Sequence, residues 1–349
     1  MGAHRRKFSA IDLFCGCGGL SLGLRKAGFR VLAAIDNDAL SASTYEENHK
    51  RALIVKEDIR SVDASKLMRE LKLYPGDLDL LAGCPPCQGF STLRSLNGGR
   101  IIKEPLNDLV YDFLRFIYTF MPKTVMMENV SALLRDVRLQ DVMHDLEGLG
   151  YACAAKLFNA ERFGVPQRRF RLILFASRHE CPPFARPVRR RRTVSEAIRR
   201  LPQPELSQDP LHNYSVGRAP HVVSLIRRIP KDGGSRTDLP DVDQLACHQR
   251  LDGFKDVYGR MAWNEPAPTI TGGCINPSKG RYIHPTEDRA ITLREAALLQ
   301  GFPLSYKFDL SCGRYAAAQM IGNAFPPKFA EHHARAIYTH LESVPETEH

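Results

Sequence analysis

Short apolar runs separated by helical spacers restrict this chain more than any other feature. "FSAIDLF" (Phe8 to Phe14), "VLAAI" (Val31 to Ile35), "ALIV" (Ala52 to Val55), "LDLLAG" (Leu78 to Gly83) and "TVMME" (Thr124 to Glu128) are each too short for a buried helix. Between them lie stretches of helical periodicity: "LSLGLRKAG", "ALSASTYEEN" and "LVYDFLRFIYTF". Strands joined by spacers of this kind form right-handed βαβ crossovers, and such crossovers build a parallel sheet. The expected fold class is therefore α/β, a Rossmann-like domain with a mostly parallel sheet. "ACAAKLFNA" and "FRLILFAS" follow one another without a clear helix between them, so an antiparallel edge pair is expected there.

The first run ends in "CGCGGL", with Gly16, Gly18 and Gly19 ahead of Leu20 and a helix. At the carboxyl edge of a parallel sheet, such a loop lets a ligand approach the backbone and meet a helix N-terminus. Asp36, with Asn37 beside it, stands about twenty positions on, where an acid reaches ribose hydroxyls in nucleotide-binding folds. Ser21 occupies the slot of the third glycine of the dinucleotide fingerprint, and no P-loop lysine follows. A nucleoside without a pyrophosphate fits better than NAD. A glycine turn used for packing is the plain alternative.

The texture changes after Arg178. Residues 179–262 are rich in Pro, Arg, Asp, Gly and Ser with few periodic stretches, although Thr193 and Glu196 fit a capping box opening a helix. Helical texture returns in "LREAALLQGF" and "PPKFAEHHARAIYTHL". We expect a catalytic and cofactor-binding domain over 1–178, completed by 318–349, and a smaller irregular domain with its hinge over 179–317. In a chain of 349 residues the net charge of +10 favours a polyanionic partner. Arg189 to Arg192 either contact phosphate or form a solvated run before a helix. No run of about eighteen apolar residues suggests a membrane span. Nine scattered cysteines and no export signal point to free thiols in a reducing cytoplasm.

"GCPPCQGFS" puts two cysteines on a stiff corner, since adjacent prolines fix the backbone. Cys84 and Cys87 have CxxC spacing, yet no second ligand pair stands at zinc-binding spacing, so no metal is expected. Glu128 ends an apolar run, an odd place for a carboxyl used only in packing.

Read in order, "DLFCGCGG", "GCPPCQGFS", "MMENV", "PQRRFRLILFA", "RMAWNEPAPTIT", "HPTEDRAITLREAALLQGFP" and "GNAFPPKFA" resemble the motifs of the DNA (cytosine-5)-methyltransferases over nearly the whole chain. The resemblance implies S-adenosyl-L-methionine as methyl donor and a flipped-out cytosine in a specific duplex DNA sequence as acceptor. It implies Cys87 as the nucleophile that adds to C6, with Glu128 bonding the N3 and amino edge of the base. Arg169 would help hold the base and Arg171 support the catalytic loop.

For the cofactor the resemblance implies Phe14 near the adenine and Gly16, Gly18, Gly19 and Leu20 along the loop. Asp36 and Asn37 would lie at the ribose, and Asp58 and Ile59 at the adenine edge, with Leu109, Asn323 and Phe325 completing the pocket. Leu106 and Asp112 depart from the family's usual arginine and glutamate, and Asp36 from its usual glutamate. The irregular insert would read DNA sequence. The remaining expectations are a compact monomer without a preceding regulatory domain, cytoplasmic and nucleoid-associated, and a cognate restriction endonuclease where the enzyme serves restriction–modification. A tRNA cytosine methyltransferase shares the motif set. A catalytically inactive relative would lose Cys87 or Glu128, and both are present.

Overall fold

The computed structural model describes residues 7–86, 108–214, 216–240 and 256–344. These form two compact units: 1–159, 170–187 and 325–349 make the first, and 160–169 with 188–324 make the second.

The first unit is built on a seven-stranded sheet in the order β3-β2-β1-β4-β5-β7-β6. The strands are β1 (Ser9–Leu13), β2 (Arg30–Ile35), β3 (Leu53–Val55), β4 (Leu80–Gly83), β5 (Thr124–Val130), β6 (Ala152–Asn159) and β7 (Phe170–Ser177). β1 to β5 run parallel, and β7 lies antiparallel to both β5 and β6. The expected antiparallel pair is present, with β6 at the edge and β7 one strand inward.

Alternation along the strands sorts side chains to two faces. Ile11, Leu13, Ile35, Leu81, Val125 and Met127 share an apolar core with residues of α3 (Ala64–Glu70), α4 (Leu109–Phe120) and α5 (Val137–Gly148). On the other face, Asp12 and Ala34 meet Ser21 of α1 (Gly19–Ala27) and Tyr45 of α2 (Ala39–Asn48).

Local capping signals bound the first three crossover helices. Gly28 caps α1 in the left-handed region at φ 115, donating its N–H to Arg25 O and Leu24 O. Asp38 and Asp63 cap the starts of α2 and α3 through side-chain oxygens.

In the second unit the described helices are α6 (Val194–Ile198), α7 (Pro220–Arg228), α8 (Leu293–Gln300) and α9 (Gly313–Asn323). The rest of its described residues form largely turns and short 3-10 segments. The Thr193–Glu196 capping box forms with both of its bonds, and Thr292–Glu295 makes a second at α8. α10 (Pro327–Ser343) belongs to the first unit and packs on α1.

Local packing explains where the units divide. Phe184 stacks on Phe175 of β7 with ring centroids 4.9 Å apart, which keeps the chain in the first unit past residue 178. Gln300 donates to the carbonyls of Ile321 (2.8 Å) and Ala324 (2.9 Å), which keeps all of α9 in the second. No described helix is long and apolar enough to cross a membrane.

Candidate active site

Register brings the site together. Val55, Ile35, Leu13, Gly83 and Met127 pair in one row across β3, β2, β1, β4 and β5. The next residues along the chain are Asp36, Phe14, Cys84 and Glu128, with Asp58 just beyond β3. Residues far apart in sequence thus leave the same carboxyl edge, where open α/β sheets bind ligands. Gly83 is required in this row: a Cβ there would stand 2.7 Å from Leu13 O and 2.8 Å from Phe113 Cε2.

The glycine loop has an unusual backbone. Phe14, Gly16 and Gly18 adopt φ of 58, 51 and 90, so the chain coils tightly out of β1. The half-buried Phe14 packs against the core, and its left-handed backbone is a strained choice for an aromatic residue. Gly18 is the N-cap of α1 and supplies no side-chain cap, while the next residues, Gly19 and Leu20, are buried.

Asp36 is built into this loop. Its Oδ2 accepts the Gly16 N–H at 2.7 Å and its Oδ1 accepts the Asp38 N–H at 2.9 Å. Burial pushes its carboxyl above the ordinary value, and the two amides pull it back. Asn37 is exposed. Behind the loop, fully buried Asp12 accepts from Ser21 Oγ at 2.6 Å, and burial raises its carboxyl to about 7. Its Oδ1 is buried without a hydrogen-bond partner among the described residues.

Asp58 lies in the turn after β3. Ile59 buries its side chain in the core, and Asp58 is gripped by Arg60 of the same turn. Arg115 of α4 pins the turn from below, donating to Val62 O at 2.9 Å and Ile59 O at 2.5 Å. Leu109 is the first residue of α4 and is buried.

Cys87 lies outside the described residues. Cys84 lies within them, and burial, with Glu128 adding to it, pushes its thiol well above the ordinary value. Cys84 is therefore held as a thiol that hydrogen-bonds Glu128, and not as a nucleophile. Glu128 is 7% exposed and pairs with Arg171 Nε at 2.8 Å. Next to it Asn129, buried, donates to Pro85 O at 3.0 Å and so ties "ENV" to the proline corner. Asn129 was not singled out from sequence, although its place inside that motif was the available signal.

Within the second unit, "PQRR" and "PAPTIT" zip together. Ala267 N–H donates to Pro166 O at 2.9 Å and Arg168 N–H to Ala267 O at 2.8 Å. Buried Gln167 accepts from Ile270 N–H at 2.9 Å, and Arg169 donates to Ile270 O at 3.0 Å. Arg169 and Arg171 thus have separate partners, one in each unit. A Cβ at Gly322 would lie 2.2 Å from the Thr271 carbonyl carbon, so only glycine lets "GNAF" approach "TIT". Asn323 is exposed and accepts from Gln319 at 3.3 Å. Phe325 is buried in the first unit, its ring centroid 5.3 Å from that of Phe329.

The family model for C-5 cytosine-specific DNA methylases matches residues 8–339, nearly the whole chain. The chain belongs to that family. A Type II methylase of Herpetosiphon aurantiacus, M.HgiDII, is 37% identical to this methylase over 363 residues, covering 97% of each chain. The Type II methyltransferase M1.BsuMI of Bacillus subtilis is 32% identical over 345 residues, covering 91% of this chain and 78% of that one. Among solved structures, an E. coli prophage chain described as a DNA modification methyltransferase gives a TM-score of 0.70 at 23% identity, covering 97% of this methylase and 100% of that chain. Spodoptera frugiperda DNMT2 gives 0.65 at 15% identity, covering 95% and 100%. Those two are likenesses of fold.

Proposed function

We propose that this methylase transfers the methyl group of S-adenosyl-L-methionine to C5 of a flipped-out cytosine in a specific duplex DNA sequence, through a Cys87–C6 adduct. The observation that carries the reading is the register row, which sets Phe14, Asp36, Asp58, the proline corner and Glu128 along one sheet edge. The loop fits a nucleoside group. Each Asp36 oxygen accepts one backbone amide and keeps a lone pair for a ribose hydroxyl, and the α1 N-terminus has no side-chain cap. When bound, the cofactor supplies an electrophilic methyl group.

The chain's own residues do the rest. Phe14 faces the adenine, and Asp58 accepts from its amino group. Leu20, Ile59, Leu109, Asn323 and Phe325 complete the pocket. C5 of cytosine is a poor nucleophile until a thiolate adds at C6. Cys87 forms that bond, pushing electrons toward C5 and N3, and Glu128 hands its carboxyl proton to N3 while its other oxygen accepts from the amino group. Arg171 holds Glu128 in place. Loss of the C5 proton later expels the thiolate.

Rotating the base out of the duplex costs a few kcal/mol, which contacts along the DNA offset. The second unit reads sequence, and the excess of basic residues supplies attraction to the backbone. A monomer in the cytoplasm and nucleoid, with an endonuclease acting on the same site, belongs to the same reading.

Fluorine at C5 cannot leave as a proton, so duplex carrying 5-fluorocytosine at the target, with the methyl donor, tests it. A denaturation-resistant adduct is expected from the wild type and from Cys84→Ser, and none from Cys87→Ser. An adduct mapped to Cys84, or one independent of both thiols, overturns the mechanism.

A further inference from the structure

The turn after β3 carries an arginine that no motif requires. Arg60 Nε donates to Asp58 Oδ1 at 2.9 Å, Arg60 Nη2 to Oδ2 at 2.5 Å, and the Arg60 N–H to Oδ1 at 3.0 Å. This is a two-point fork with a backbone bond added. The fork is exposed, Arg60 by 52%, and exposed ion pairs contribute little to stability. Folding therefore gives a weak reason for it. Its geometric effect on Asp58 is strong: the carboxylate is held in one orientation and its acceptor capacity is nearly filled.

Counting lone pairs sharpens this. A carboxylate oxygen accepts about two hydrogen bonds. Oδ1 already takes two from Arg60, whereas Oδ2 takes one. Among the described residues this leaves one acceptor position, on Oδ2. The backbone beneath it is also fixed, because Arg115 bonds the carbonyls of Ile59 and Val62, and Ser61 N–H closes the turn on Asp58 O at 2.8 Å.

We infer that Arg60 is a positioning residue that aims Oδ2 of Asp58 at the exocyclic amino group of the bound purine, and so sets the preference for a 6-amino over a 6-oxo base. This rests on the reading of Asp58 as the adenine acceptor. An amino N–H satisfies the remaining lone pair. A 6-oxo group would set its own lone pairs against it, and the fork keeps the carboxylate from turning away. The same grip holds the Asp58 carboxyl down at about 2, so it stays an acceptor throughout the working pH range.

Calorimetry on the full chain with S-adenosylhomocysteine and its deaminated twin, S-inosylhomocysteine, tests the inference. The ratio of the two affinities is its own control, since general damage lowers both alike. The wild type should prefer the amino compound about tenfold or more. Asp58→Asn should collapse that preference, because an amide can turn to donate to an oxo group. Arg60→Ala should lose most of it with an unchanged melting temperature, and should raise KM for the methyl donor while kcat holds. Arg60→Lys should resemble Arg60→Ala, since one ammonium cannot grip both oxygens. The double variant should be no worse than Asp58→Asn. If Asp58→Asn keeps the preference, the adenine reading of Asp58 fails. If Asp58→Asn loses it while Arg60→Ala keeps it, or if Arg60→Lys restores it fully, the role given to Arg60 fails alone.

Discussion

The two units satisfy their backbones in opposite ways. In the first, strands from Ser9 to Ser177 pair in ladders, with one register shift between Ala10 and Ile11, and the carbonyls of the sheet find partners in neighbouring strands. In the second, the described chain between short helices is largely irregular, and side chains take over that task. Arg260, with no exposed surface, donates to Ile229 O at 3.1 Å, His284 O at 3.0 Å, Ile226 O at 2.7 Å and Glu287 O at 2.6 Å. Arg281 donates to Gly233 O at 2.8 Å and Arg260 O at 3.0 Å, and buried Arg294 to Tyr306 O at 2.9 Å. A guanidinium has five donors in a rigid fork, which suits it to collecting carbonyls that no ladder reaches. Basic charge is therefore a poor measure of DNA-facing surface in this methylase. Part of the excess of +10 is interior scaffolding.

The largest expected effect breaks that scaffold. Arg260→Met keeps the bulk and removes every side-chain donor, leaving the buried carbonyls without their partner and the Asp288 carboxylate with Lys231 alone. The cost should be about 3 kcal/mol or more. Trp263 is the chain's sole tryptophan and sits in the second unit, its ring nearly perpendicular to that of His284 with centroids 5.1 Å apart, so its fluorescence reports on that unit. Its urea midpoint should fall sharply, while in the absence of urea S-adenosylhomocysteine, most of whose proposed contacts belong to the first unit, is still bound. A midpoint close to that of the wild type would mean that the carbonyl clamps do not hold the second unit together.

The counterpart in the first unit is a close approach between helices. A Cβ at Gly23 of α1 would meet Ala330 Cβ at 2.4 Å and the Glu331 amide nitrogen at 2.8 Å, a backbone atom that cannot turn aside. Gly23→Ala should cost about 1–3 kcal/mol by overpacking, although alanine favours helix. Far-UV circular dichroism should detect the earlier melting while the Trp263 transition stays near its wild-type position. If both transitions move together, the two modes of support are coupled and the contrast between the units is one of construction alone.

What sequence made legible follows the same division. β1 to β5, the caps at Gly28 and Thr193 and the place of Asp36 rest on local signals of period, spacing and capping, and these survive without a partner. The strand order does not, since it depends on pairing between distant runs. Within the site, spacing found Asp36 but not that its oxygens hold Gly16 and Asp38. The family resemblance pointed to Asp58 but not to its grip by Arg60, because nothing in "DIR" distinguishes a fork from an exposed pair. In the second unit α7 was missed, although Pro220 at its start and Val222, Leu225, Ile226 and Ile229 at helical spacing were a readable signal. From sequence, Arg260 reads only as part of a motif. A buried arginine looks like any other until the carbonyls around it are known.

The smallest expected effect concerns the arginines that composition weighs most heavily. Arg190 and Arg191 belong to the run before α6 and are exposed by 81% and 52%. Arg190 pairs with Glu196, whose other oxygen accepts the Thr193 N–H at 3.0 Å and so completes the capping box. Arg191 stands 3.7 Å from Glu161. Both charges already have carboxylate partners within their own unit, which leaves them little to gain from phosphate. Replacing both by glutamine should cost below about 1 kcal/mol per pair, since exposed pairs contribute little. It should also leave the salt dependence of DNA binding unchanged. Each lost phosphate contact would reduce the slope of log affinity against log salt by about 0.9, so two contacts would be plain in a filter-binding series. A slope reduced by nearly two would assign this run to the DNA backbone. An unchanged slope would place it with Arg260 and Arg294, as basic residues engaged by the fold.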